Sequence, residues 1–166
     1  MAINLFSILK SKRPKKAKPS NKRSLKDVSY LGEKSSFMKA LYAQIEAYMK
    51  SQKPFLRGDF TIDDVAKRLR TTRNNISVAI NNCSGLNFRN YINTYRVEHA
   101  MALMRRYPNM KKDEVAKLSG FNTLPTFNAS FKKNANMTPG KYLCTHIITD
   151  ENRSKRSLST SKEQKP

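Results

Sequence analysis

The sequence predicts an all-α fold of seven helices, arranged as two helix-turn-helix subdomains joined by one long linker helix. Three observations carry this expectation. Apolar residues recur at spacings of three and four through most of the central chain, no stretch alternates convincingly as a half-buried strand does, and the central region repeats itself. A chain of 166 residues has room for one compact domain with tails, or for two very small subdomains that share a core.

The elements follow in order. Met38, Leu41, Tyr42, Ile45 and Met49 form one apolar stripe on a helix from about Ser36 to Lys50. Thr61 opens the next, with Asp64 three residues on as an approximate capping box and Val65, Ala66 and Leu69 facing inward. Thr72 caps a third helix, running to about Asn82, that buries Ile76, Ala79 and Ile80. The segment from Asn87 to about Arg106 has two apolar faces: Phe88, Tyr91, Ile92 and Tyr95 early, then Val97, Ala100, Met101 and Met104. A helix shared by two small cores has this pattern. Pro108 stops it. A short helix spans about Lys112 to Leu118 and ends at Gly120. Thr123 caps another that runs to about Lys133, tolerating Pro125 in its first turn and burying Phe127 and Phe131. The last starts at Thr138-Pro139 and runs to about His146.

The repeat has a period of about 50 residues. Asp63-Asp-Val-Ala-Lys-Arg-Leu69 returns as Asp113-Glu-Val-Ala-Lys-Leu118. Ile76 and Ile80 correspond to Phe127 and Phe131, and Gly85–Tyr91 corresponds to Asn136–Tyr142, with one extra residue in the second turn. Paired positions share physical roles. Gly85 and Asn136 are the residue types that best tolerate the left-handed conformation ending a helix, and Asn87 and Thr138 both suit an N-cap. The resulting division is a basic arm at 1–35, a first helix-turn-helix subdomain at 36–86, the linker helix at 87–106, a second subdomain at 107–147 and a tail at 148–166.

Composition narrows the partners. Lys and Arg number 33 against 12 Asp and Glu, for a net charge of +21 and a pI near 10.2, so the natural partner is a polyanion. Nucleic acid leads and an anionic membrane surface comes second. Lys10, Lys12, Arg13, Lys15, Lys16, Lys18, Lys22, Arg23 and Lys26 make residues 1–26 a cationic segment without a carboxylate, read as a disordered arm, as is the Ser-, Thr- and Lys-rich tail. Cys83 and Cys144 fit no metal-ligand spacing, and His99 and His146 stand apart, so a reduced cytosolic protein without zinc or other cofactor is expected. No apolar run approaches the roughly 20 residues of a membrane span. An enzyme is not expected: there is no Gly-rich phosphate loop, and the pairs Asp63-Asp64 and Asp113-Glu114 sit in first helical turns, where they meet the helix dipole. No small-molecule ligand site is visible.

Three stretches resemble the DNA-binding domain of the AraC/XylS family of bacterial transcription regulators: Tyr91-Ile-Asn-Thr-Tyr-Arg-Val-Glu-His-Ala100; Val115-Ala116 with Ser119-Gly-Phe121; and Phe127-Asn-Ala-Ser-Phe-Lys-Lys133 leading through Met137-Thr-Pro139 to Tyr142. The resemblance covers roughly residues 36–146. It implies a double-stranded DNA partner, with the second helix of each unit offered to adjacent major grooves, which lie about 34 Å apart. It also implies a cytoplasmic, nucleoid-associated regulator, activation through RNA polymerase being the commoner outcome in the family. The chain departs from many members at Val78 and Ala129, where larger polar or basic residues are usual, and at Leu143, where Arg is frequent.

Subtracting the buried positions leaves candidates for contact. On the first recognition helix these are Arg73, Asn74, Asn75, Ser77, Val78 and Asn81, with Asn74, Ser77, Val78 and Asn81 the base-facing set and Arg73 on a base or a phosphate. Asn pairs with adenine, Arg with guanine, and Val meets a thymine methyl. On the second they are Leu124, Pro125, Asn128 and Ala129, poorer in groups that read base edges. Phosphate contacts fall to Arg89, Lys132, Lys133 and Lys141. Arg96 is expected to make an internal ion pair. Two other readings of the chain remain: a nonspecific nucleic-acid binder driven by charge, and the cytoplasmic output part of a larger membrane or phosphorelay sensor.

Overall fold

The computed structural model describes residues 25–145, with side chains from Ser35 onward. Most of the basic arm, the tail from 148 and the expected helix end at His146 lie outside the described residues. Among those described there are seven α-helices: α1 (Leu25–Gln52), α2 (Ile62–Arg68), α3 (Arg73–Ser84), α4 (Phe88–Arg106), α5 (Lys112–Leu118), α6 (Leu124–Ala135) and α7 (139–145). A 3-10 turn at Pro54–Leu56 follows α1. The chain forms two compact units that divide between Tyr95 and Arg96, inside α4.

One boundary needs correcting. The first helix begins at Leu25, well before Ser36, so part of the stretch read as a disordered arm is helical. Leu25, Val28 and Leu31 continue helical spacing upstream of Met38, and the hydrogen-bond ladder, once nucleated, adds one bond per residue until something stops it. No proline lies between Pro19 and Pro54 to do so.

The first unit buries Met38, Leu41, Ile45 and Met49 from α1, Val65 and Ala66 from α2, Ile76, Ala79 and Ile80 from α3, and Tyr91, Ile92 and Tyr95 from α4. Phe55 and Phe60, in the connection after α1, join this core, although no periodic pattern marked them. Phe55 stacks on Tyr95 at 5.3 Å, and Tyr95 meets the edge of Tyr91 at 5.2 Å. The Tyr91 and Tyr95 hydroxyls lie 3.2 Å apart, so each buried ring keeps a partner for its polar end. Burial pushes the Tyr91 and Tyr42 hydroxyls well above the ordinary tyrosine range.

The second unit is built on a chain of rings. Phe121, Phe127, Phe131 and Tyr142 meet edge to face at 5.4, 5.6 and 5.5 Å, packed with Val97, Ala100, Met101, Met104, Val115 and Ala116. The Arg105 guanidinium donates a hydrogen bond to the Tyr142 hydroxyl at 2.6 Å. Arg96 is half-buried with its guanidinium 5.7 Å from the centre of the Phe121 ring.

The two copies share their backbone devices. After α2 and α5 the chain turns through a left-handed residue, Arg70 (φ 50°) or Gly120 (φ 82°). The next amide then closes a wide bond: Thr71 N–H to the Ala66 carbonyl at 2.9 Å, and Phe121 N–H to the Ala116 carbonyl at 3.0 Å. These are the six-to-one bonds that end helices in Schellman fashion. After α3 and α6 the left-handed residues are Gly85 (φ 71°) and Asn136 (φ 55°). Asn87 and Thr138 cap the helices that follow, accepting from the amides of Asn90 at 2.9 Å and Lys141 at 3.3 Å. The extra residue of the second copy falls in the turn before Thr123.

Arg70 occupies a position where a side chain is strained, and its counterpart is glycine. Arg70→Gly is expected to raise stability by up to about 1 kcal/mol, and Gly120→Ala to lower it by about as much or more, as read by thermal unfolding. Effects of the same sign would contradict the equivalence of the two turns.

At the start of α2 the Asp64 carboxylate accepts from the Thr61 amide at 2.8 Å and the Thr61 hydroxyl at 2.9 Å. The amide bond first, then the hydroxyl, hold its pKa below the ordinary carboxylate range. Its contribution is complete above the unfolded-state value of about 3.9 and is lost as pH falls through the lower folded-state value. Asp64→Ala should cost about 0.3–1.5 kcal/mol near pH 7 in urea unfolding, a gap that narrows only below about pH 4. Closure of the gap by about pH 6 would be inconsistent with this assignment.

Candidate nucleic-acid interface

Each candidate surface exists because the opposite side of its helix is buried. In α3, Thr72 accepts from the Asn75 amide at 3.2 Å and so sets where the helix starts. Ile76, Ala79 and Ile80 are 0% exposed and fix its rotation about its own axis. The opposite side presents Asn74, Ser77 and Asn81, all exposed, with Val78 among them but half-buried and packed against the core. These positions span two turns at spacings of three and four, so they form one stripe.

Two predicted residues are engaged locally. The Asn75 side-chain amide donates to the Thr71 hydroxyl at 3.1 Å, tying it to the turn before α3. Arg73 lies four residues before Ser77, about 40° round the helix from it at the edge of the stripe, and its Nε sits 3.1 Å from an Asp63 carboxylate oxygen of α2. That pair is largely exposed on both sides. Nothing in the sequence marks it: Asp63 and Arg73 belong to different helices and meet only after the turn has folded.

In α6, Thr123 accepts from the Thr126 amide at 3.4 Å, and Phe127 and Phe131 are 0% exposed. Pro125, Asn128, Ala129 and Lys132 lie exposed on the other side, with Leu124 38% exposed beside them. Through the internal repeat this stripe corresponds to the first, Asn74 to Pro125, Ser77 to Asn128, Val78 to Ala129 and Asn81 to Lys132.

The phosphate candidates are exposed: Arg89 in the first turn of α4, Lys132 and Lys133 in the last turn of α6, and Lys141 in α7. The structure adds Lys112, which sequence reasoning missed. With Asn128, Ala129, Lys132, Thr138, Pro139 and Gly140 it lines an open cleft of about 380 Å³ in the second unit. Its one available signal was the repeat, where Ile62 stands at the equivalent position and makes Lys112 an added charge.

Among the described residues, no group of three His, Cys, Asp or Glu is placed to hold a metal. No described helix is long and apolar enough to cross a membrane.

A short helix, a tight turn and a second helix with an outward exposed stripe, repeated within one chain, are the parts of a helix-turn-helix DNA-binding domain. Residues 65–144 match the family described as "Helix-turn-helix domain". The chain is 32% identical over 84 residues to an uncharacterised HTH-type transcriptional regulator, YtdP of Bacillus subtilis, and 29% identical over 108 residues to another, YijO of Escherichia coli. These matches cover 51% and 65% of this chain but 11% and 37% of the relatives. The chain thus spans much less than the whole of the curated regulators it matches. Among solved structures, the C-terminal domain of AraT, a response regulator from Geobacillus stearothermophilus, is similar, with a TM-score of 0.56 at 27% identity, covering 63% of this chain and 84% of that one. The chain is thus similar, over residues 65–144, to a helix-turn-helix domain, and the relatives it resembles are bacterial transcription regulators.

The stripes differ in chemistry, and substitutions in them should differ in effect. Asn74→Ala is expected to weaken binding to a preferred duplex by about 1–3 kcal/mol while leaving binding to random duplex unchanged, by fluorescence anisotropy. Ala129→Ser should change either affinity by much less. Comparable losses would overturn the inequality of the two units.

Proposed function

We propose that this protein is a sequence-specific, double-stranded DNA-binding regulator that places α3 and α6 in adjacent major grooves and activates transcription through contact with RNA polymerase. The observation that supports it is the duplicated surface. In both units the second helix is capped by threonine, buried along one side and left with an exposed stripe on the other. A nonspecific binder needs only charge and has no use for two such matched surfaces.

In this reading Asn74, Ser77, Val78 and Asn81 read bases from the first unit, and Leu124, Pro125, Asn128 and Ala129 from the second. Arg89, Lys112, Lys132, Lys133 and Lys141 hold phosphates, which position a protein on the duplex without specifying sequence. Arg73 and Asn75 have lesser parts, being engaged with Asp63 and Thr71. The net charge of +21 supplies affinity for any duplex, so specificity has to appear as a ratio over that background.

Competition decides between the readings. A duplex selected from a random pool should be displaced by random duplex only at concentrations at least tens of times higher than by itself, and footprinting should show protection about one helical turn apart. Equal competition by both duplexes would favour the nonspecific, charge-driven reading.

A further inference from the structure

We infer that the preferred duplex is rich in A·T pairs at the positions facing both recognition helices, read by amides in the first unit and by methyl contacts in the second. This rests on the function proposed above and specifies its ligand. Base edges in the major groove call for different side chains: guanine takes a cation at O6 and N7, adenine takes an amide at N6 and N7, and thymine offers a methyl group to apolar contact. The recognition helix of such a motif reaches base edges mainly with its N-terminal part.

The outward chemistry of the two helices is one-sided. On α3 the exposed stripe holds the amides of Asn74 and Asn81 and the hydroxyl of Ser77, with the half-buried Val78 between them. The single cation of α3, Arg73, lies at the edge of the stripe with its guanidinium paired to Asp63 at 3.1 Å. On α6 the first two turns expose Leu124, Pro125, Asn128 and Ala129, and both cations, Lys132 and Lys133, belong to the last turn. Apart from Arg73, which is paired with a carboxylate, neither helix directs a cation at bases from its leading turns. Asp63 becomes a specificity-determining residue: its carboxylate competes with base edges for the one guanine-reading group of α3.

The full chain, incubated with a random duplex pool, provides the test. The enriched site should carry A·T pairs in two blocks, one lost in selections with Asn74→Ala and the other altered by Leu124→Ser. Replacing adenine by 7-deazaadenine, which lacks the N7 acceptor, should weaken binding about tenfold in the first block. Replacing thymine by uracil, which lacks the methyl, should weaken it by about fourfold per methyl in the second. Asp63→Asn, checked for native helicity by circular dichroism, should newly enrich guanine beside the first block. Guanine already enriched there with the parent protein, or blocks dominated by G·C pairs, would overturn this inference and leave the regulator reading standing. No enrichment over random duplex would instead sink the regulator reading, and this one with it.

Discussion

The seating of one apolar face on each of α3 and α6 determines everything these helices can present. Both are 12 residues long, a length at which an isolated helix is marginal in water, so their stability comes from packing. Ile76, Ala79 and Ile80 in one, and Phe127 and Phe131 in the other, do the seating. They also fix rotation: a slip of one residue would carry the outward stripe about 100° round the axis. The left-handed residues at either end, Arg70 and Gly85 in the first copy and Gly120 and Asn136 in the second, set where each helix starts and stops. Rotation and limits together give the outward groups fixed places.

The long helix α4 ties this arrangement together along the chain. Its early residues Tyr91, Ile92 and Tyr95 complete the first core, and its later residues Val97, Ala100, Met101 and Met104 help build the second. The cores solve the same problem with different side chains. The first mixes aliphatic residues with tyrosines that satisfy one another's hydroxyls, whereas the second relies on edge-to-face phenylalanines closed by Tyr142.

Much of this was legible because the chain states it twice. A residue type that is ambiguous alone becomes informative beside its counterpart: Asn136 reads as a left-handed helix end because Gly85 is its partner, and Thr138 as a cap because Asn87 is. Legibility ended where no local pattern exists. The start of α1 at Leu25 carries only the short apolar series Leu25, Val28 and Leu31, set beside a cationic segment that reads as disordered. Phe55 and Phe60 enter the core from a connection without periodicity. Arg70 is not a residue that advertises a left-handed backbone, and its equivalence to Gly120 emerges only in the folded turns. For the candidate interface, helical spacing sufficed to find the stripes, because exposure is the complement of burial. The engagement of Arg73 with Asp63 and of Asn75 with Thr71 did not follow from spacing, since both depend on side chains meeting across a folded turn.

The inequality of the two stripes has a geometric corollary on the proposed reading. Regulators that dimerise through a two-fold axis read the same half-site twice in opposite senses, so the duplex looks alike from either end. A single chain carrying Asn74, Ser77 and Asn81 on one helix and Pro125, Asn128 and Ala129 on the other has no such symmetry. The stretch read by one such chain is non-palindromic, and it gives that chain a heading. Turning the site end for end would then present the opposite flank of the same molecule to whatever lies downstream.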